Sequence, residues 1–294
     1  MRHAERRPVI SLVAAGVRRG SAILAEQPMV QAIRRQVHLA DFAAGRQTDT
    51  FSGCYATFDE ARAAAPPDRL GYDHEAMTSL APTDPDDFPR AMDPNDYAVM
   101  FWLRDILPDA RRVFDLGGYV GSAYYAYRNY LAYPAGLEWT VCDVPAVVRA
   151  GQALADRAGA AGLRFTVDRD AADGADILLA AGCLQYLEEG SLHRLIASLR
   201  TRPRHVLVQR AALHPARSFV TLQVMTPPGG RFFCPYTVAA RPRFIDDMRA
   251  LGYDLADSWS KPRSLVVPLH PECTVPAYSG LYFRLAPETV SEAT

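Results

Sequence analysis

The stretch V-F-D-L-G-G-Y-V-G-S, residues 113–122, decides the fold. An apolar run closes on Asp115, and Gly117, Gly118 and Gly121 then lead into a helix expected to start near Ser122. Glycine carries no Cβ, so it tolerates positive φ and lets a ligand lie against the loop backbone and the helix N-terminus behind it. Strand, glycine loop and helix in this order suit a nucleotide-like cofactor, and they also suit a tight turn that binds nothing.

The neighbouring sequence repeats the unit. Short apolar runs occur at RRVFDLG (111–117), EWTVCDV (138–144), RFTVDR (164–169), ADILLAAGCL (175–184) and RHVLVQRAAL (204–213). Helical stretches lie between most of them: Val147–Ala158 behind Pro145, and Ser191–Arg200 behind Gly190. On the N-terminal side Asp93 is a good N-cap, Pro94 suits the first helical position, and Met100, Leu103 and Ile106/Leu107 recur at helical spacing until Pro108. Near-continuous apolar strands separated by helices predict a doubly wound, mostly parallel sheet covered on both faces.

The ending departs from that alternation. A helix near Arg241-Pro242 carries Phe244, Ile245, Met248 and Leu251, and Gly252 is placed to stop it. Two strand-like runs follow, around Tyr253–Trp259 and Leu281–Leu285, with no helix between them. They are expected to pair antiparallel and bring the sheet to seven strands. Dinucleotide-binding dehydrogenases usually continue with another parallel strand instead.

Acidic residues sharpen the ligand. Asp143 lies 28 residues beyond Asp115 at the end of the second strand, where a carboxylate can accept both ribose hydroxyls. Asp168 ends the third strand, within reach of an adenine amino group. Each alone reads equally as a capping or surface carboxylate. Together they place three acids on one sheet edge, and Asp115 in the first loop would repel a pyrophosphate and suit the ammonium of a methionine. The charge pattern therefore favours S-adenosylmethionine over NAD. An NAD(P)-dependent oxidoreductase and a non-catalytic partner protein of the same fold stay open as alternatives.

Composition bounds the rest. The 294 residues are 49% hydrophobic, enough for a large core plus a smaller attachment. A net charge of −1 gives no cationic surface for nucleic acid. Residues 1–92 are Ala/Arg-rich and loop-rich, with a modest apolar stripe at Val30, Ile33 and Val37, and are expected to form a lid or a homodimer contact beside a main domain at 93–294. The apolar stretch Val9–Val17 is only nine residues and runs into Arg18 and Arg19, against a signal peptide, and nothing approaches a membrane span. Five scattered cysteines (Cys54, Cys142, Cys183, Cys234, Cys273), with no zinc-ligand spacing, fit free thiols in a reducing, cytoplasmic setting and no bound metal.

The chain resembles class I S-adenosylmethionine-dependent methyltransferases, and more closely the LIC12133-type methyltransferase family, often found among surface-polysaccharide genes. The segments carrying the resemblance are FSGCYATFDEA (51–61), GYD (71–73), DLGGYVGSAYY (115–125), AAGCLQYL (180–187), TLQ (221–223), PY (235–236), GYDLADSW (252–259) and YSGLYF (278–283). The sheet closed by a hairpin is also a feature of that class. The resemblance implies methyl transfer, with cofactor contacts from Asp115, Gly117, Gly118, Gly121, Asp143, Val144, Asp168 and the segment Gly182, Cys183, Leu184; the expected acceptor atom is oxygen on a small molecule or glycan intermediate, with nitrogen left open. One departure is that the general D-x-G-x-G-x-G pattern puts glycine at 119, where this chain has Tyr119.

Acceptor-side residues must project near the ends of the fourth and fifth strands. Tyr186 and Gln185 follow the fourth, and Arg210 and His214 close the fifth; Gln223, Tyr236 and Arg128 are further candidates. His214 is the expected base for a hydroxyl acceptor, because imidazole titrates near neutrality. It also reads as a solvated loop histidine before Pro215. Arg210 suits an anionic acceptor or a surface ion pair. A carboxylate acceptor needs no base.

Overall fold

The computed structural model describes residues 28–46, 48–65, 71–79, 81–89, 92–228 and 230–287. Val9–Val17 and its flanking arginines lie outside the described residues. The chain forms two compact units, Met1–Gln47 and Thr48–Thr294. This division falls well before residue 92, because the strand following Thr48 is hydrogen-bonded into the larger unit. The smaller unit contributes one described helix, α1 (Pro28–Ala44).

The larger unit runs β1 (Thr50–Tyr55), α2 (Phe58–Ala64), α3 (Tyr97–Ile106), β2 (Arg112–Leu116), α4 (Ser122–Tyr127), β3 (Glu138–Cys142), α5 (Pro145–Ala158), β4 (Leu163–Thr166) and β5 (Ile177–Ala181). It continues α6 (Ser191–Ser198), β6 (His205–Ala211), β7 (Leu213–His214), β8 (Phe219–Met225), β9 (Phe232–Ala240), α7 (Arg241–Ala250), β10 (Tyr253–Lys261) and β11 (Tyr278–Leu285). The five strands and the closing hairpin expected from sequence form one seven-stranded sheet in the order β10-β11-β6-β5-β2-β3-β4. β2 through β6 are parallel, and β11 pairs antiparallel with both β6 and β10.

Alternation along the strands builds a core on each face. Val113, Trp139, Val141, Ile177, Leu179 and Leu207 face α3, α4 and α5, while Phe114, Leu116, Leu178, Val206, Val208 and Phe283 face α6 and α7. Each fully buried Leu, Ile, Val or Phe of these layers stabilises the fold by roughly 1.5–3 kcal/mol. The tyrosines of 124–133 belong to the first layer: Tyr125 and Tyr127 are buried, and Tyr124 and Tyr133 lie against Trp139 with ring centroids 5.9 and 5.7 Å away.

A second sheet was not anticipated. β1, β8 and β9 pair antiparallel in the order β1-β8-β9-β7, and β7 joins β9 in parallel at Ala239 and Ala240 only. Pro235 lies in β9 opposite Leu222 of β8, at a position where no second strand pairs with β9. Phe51, Phe219, Tyr236, Val238, Leu265 and Val275 form this sheet's own core. A disulfide joins Cys54 to Cys273, so the expectation of five free thiols is corrected; Cys142, Cys183 and Cys234 remain free. Among the described residues, no helix is long and apolar enough to cross a membrane.

Candidate functional site

From β2 the chain moves outward to β3 and β4, then returns to build β5 and β6 on β2's other side. Connections therefore leave in opposite directions at the β2/β5 pair, which opens a crevice at the carboxyl ends of the strands. A cavity of about 320 Å3 lies there, within the range of small-molecule sites at about 300–1,000 Å3. Its walls include Gly117, Tyr119, Asp143, Val144, Gly182 and Cys183, with Tyr72 and Tyr186 at one side.

The glycine loop is built by close approach. Gly117 has φ +66°, and an added Cβ would lie 2.2 Å from the Cβ of Cys183, so no larger residue fits there. Tyr119 takes φ +55° at the position where the general pattern has glycine, so the backbone keeps the left-handed turn without one. Its N–H donates to Asp143 Oδ2 at 2.9 Å and its hydroxyl to the Met77 carbonyl at 2.7 Å. Gly118 and Gly121 do not line the cavity. Gly118 covers the Asp115 carboxylate, and Gly121, at φ +88°, starts α4 against Leu163.

The three acids do not converge on one ligand volume, which corrects the electrostatic picture drawn from sequence. Asp115 is fully buried beneath the loop, with Oδ2 accepting the Trp139 indole N–H at 3.1 Å and Oδ1 unpartnered. Burial pushes its pKa up to about 7. The reason is strand alternation: Asp115 shares the face of Val113, which the helices cover. Asp143 alone of the three reaches the cavity. Its oxygens accept from the backbone N–H groups of Tyr119 and Val144, the latter at 2.8 Å, and burial raises its pKa, opposed by those two hydrogen bonds. Asp168 is exposed and caps the turn after β4 by accepting from the Asp170 N–H at 2.9 Å. Leu184 turns into the apolar layer beside α6 and α7.

A second cavity of about 350 Å3 adjoins the first and shares Tyr72, Gly117, Tyr119, Gly182 and Tyr186 with it. Tyr186 stands between the two, its hydroxyl donating to Gln223 Oε1 at 2.9 Å and its ring 5.1 Å from that of Tyr72. Burial lifts its pKa well above the ordinary phenol range. Arg210 lines the second cavity, as do Gln185, Gln223 and Tyr236. His214 lines neither. Its Nδ1 accepts from the N–H groups of Ala216 and Arg217, both at 3.1 Å, so the imidazole expected as a base caps the turn after β7 instead of lining either cavity. Arg128 lies over the Tyr125 ring, 5.0 Å from its centroid, and also lines neither cavity.

Sequence reading missed the other walls of the second cavity: Asp49, Phe51, Tyr72, Lys261, Arg263 and Tyr278. Tyr72 carried a signal in the G-Y-D segment, whose Asp73 accepts from the Ala146 N–H at the start of α5. Lys261 and Arg263 sit where β10 ends, and no local pattern ties them to residues near 49 or 210. The fold also brings Cys54, Glu272 and Cys273 together, although their spacing gives no hint of it.

No protein-family profile and no curated protein matches the chain. Solved structures with a similar chain path include a 1,6-didemethyltoxoflavin-N1-methyltransferase of Burkholderia thailandensis with bound S-adenosylhomocysteine, at 19% identity over 65% of this chain and 80% of that one, TM-score 0.39. The CcbJ methyltransferase from Streptomyces caelestis is 15% identical over 73% of this chain and 97% of its own, TM-score 0.45. The mitomycin 7-O-methyltransferase MmcR is 17% identical over 65% of this chain, which spans 54% of MmcR, TM-score 0.39. At such distances the function of this chain has to be read from its own residues.

Proposed function

We propose that this protein transfers a methyl group from S-adenosylmethionine to oxygen on a small-molecule or glycan intermediate. One observation carries the reading: a cofactor-sized cavity at the β2/β5 crossover, with the buried Asp143 carboxylate in its wall, in a sheet closed by an antiparallel hairpin. Each Asp143 oxygen spends one lone pair on a backbone N–H and keeps another for a ribose hydroxyl. Val144 and Cys183 offer apolar surface to an adenine, and Gly117 and Gly182 let the ligand approach backbone. A bound S-adenosylmethionine supplies an electrophilic methyl on a sulfonium. The chain's task is then alignment and exclusion of water, and Tyr72, Tyr119 and Tyr186 supply the wall between the two cavities.

Calorimetry tests this. S-adenosylmethionine and S-adenosylhomocysteine are expected to bind at sub-millimolar level, and Asp143→Ala is expected to weaken both at least tenfold, or about 1.4 kcal/mol. Absence of binding, or an alanine variant that binds equally well, refutes the proposal. Fluorescence quenching by NADH without binding of either sulfur compound transfers the site to the oxidoreductase alternative.

A further inference from the structure

The second cavity has a charge imbalance that the cofactor does not use. Arg210, Lys261 and Arg263 line it, and among the described residues the lone acid in its walls is Asp49. That carboxylate is already engaged: Oδ1 accepts from Gln223 Nε2 at 3.0 Å, and Oδ2 lies 3.8 Å from the Arg263 guanidinium. Arg210 is held at φ +55°, a conformation that costs a non-glycine residue free energy and persists only when its surroundings impose it. Among the described residues its guanidinium donates from Nη2 to the Ala181 carbonyl at 3.3 Å, and its Nε is buried without a partner. A Cβ at Gly182 would stand 3.3 Å from that Nε, so the glycine preserves its room. Asp93 and Asp96 feel the Arg210 charge, but neither lines the cavity. Asp96 accepts from Gln209 and from the Tyr127 hydroxyl. Arg210 is thus a guanidinium with donors to spare beside the cofactor cavity.

No imidazole lines this cavity among the described residues. Burial pushes the phenols of Tyr72, Tyr119, Tyr186, Tyr236 and Tyr278 upward, which keeps them protonated. An alcohol acceptor would have to lose a proton with little help from these walls, whereas a carboxylate arrives as the nucleophile.

We infer that the acceptor is a small molecule bearing a carboxylate, held by Arg210 with Lys261 and Arg263 across the second cavity, and that the product is its methyl ester. The inference rests on the methyl-transfer reading above. In the step, a carboxylate oxygen lone pair forms the new C–O bond, the C–S bond breaks with its electron pair going to sulfur, and no proton moves. The guanidinium forks to carboxylate geometry, which a lysine ammonium does not reproduce.

The test uses the full chain saturated with S-adenosylhomocysteine, and reads thermal shift and calorimetry with benzoate, phenylacetate, their amides, and inorganic phosphate. At least one carboxylate is expected to bind tenfold more tightly than its amide. Arg210→Gln is expected to erase that preference while leaving S-adenosylhomocysteine affinity within about twofold. Carboxylates binding no better than amides, or phosphate outcompeting both, overturns the inference. Failure of S-adenosylhomocysteine to bind refutes the underlying reading instead. Should Arg210→Gln not fold, as judged by circular dichroism, the Lys261→Gln/Arg263→Gln double variant makes the same comparison.

Discussion

Asp115 shows how far one residue's role depends on which way its strand faces. Read in sequence it is the acid of a cofactor loop; in the fold its carboxylate sits under Gly118 against Trp139, out of the cavity. Burial raises its pKa to about 7, whereas the unfolded chain titrates this group near the ordinary aspartate value of about 3.9. Between these values the folded chain holds a proton that the unfolded chain has released. The group's contribution is therefore fully present below about pH 4 and is lost as pH rises through about 7. Asp115→Asn removes this dependence, so urea unfolding should show the variant gaining on the wild type from about pH 4.5 to 7.5. A difference that stays constant across that range would mean the carboxylate is not held protonated by burial. The edge position of Asp143, by contrast, was legible from spacing, because the residue that follows the last residue of a parallel strand stands at the carboxyl edge.

Among elements, the alternating units from β2 to β6 and the closing hairpin were legible because each strand is a continuous apolar run and each helix has its own cap or breaker. The second sheet was not. β1 and β8 are separated by more than 160 residues, and the pairs Phe51↔Gln223 and Thr221↔Tyr236 follow no local period. The disulfide clamps this sheet to the segment between β10 and β11, closing a sequence separation of 219 residues. Such long-range cross-links typically stabilise by about 2–4 kcal/mol. Reduction, or Cys54→Ser, is expected to lower unfolding free energy by about that amount, and thiol titration of the unreduced, denatured chain should count three thiols rather than five. Five titrating thiols would show that Cys54 and Cys273 are not joined.

At the scale of the molecule, both cavities are lined by residues from Asp49 onward, inside the unit Thr48–Thr294. We propose a lid or dimer contact for the residues before it, whose α1 carries Val30, Ile33 and Val37 along one helical face. A chain beginning at Thr48 is expected to fold and to bind S-adenosylhomocysteine within about threefold of the full chain. Light scattering would report a dimer contact as a fall to monomer mass, and loss of cofactor binding would show that the larger unit does not hold the site alone. The sequence by itself determined the parallel core, its glycine loop, the carboxyl-edge position of Asp143 and the antiparallel ending, since each follows from patterns a few residues long. Only the tertiary structure decided which acids face a ligand, that His214 caps a turn, and that Arg210, Lys261 and Arg263 share one cavity. Side-chain direction and long-range pairing are set by burial of whole faces, a property that no short segment carries.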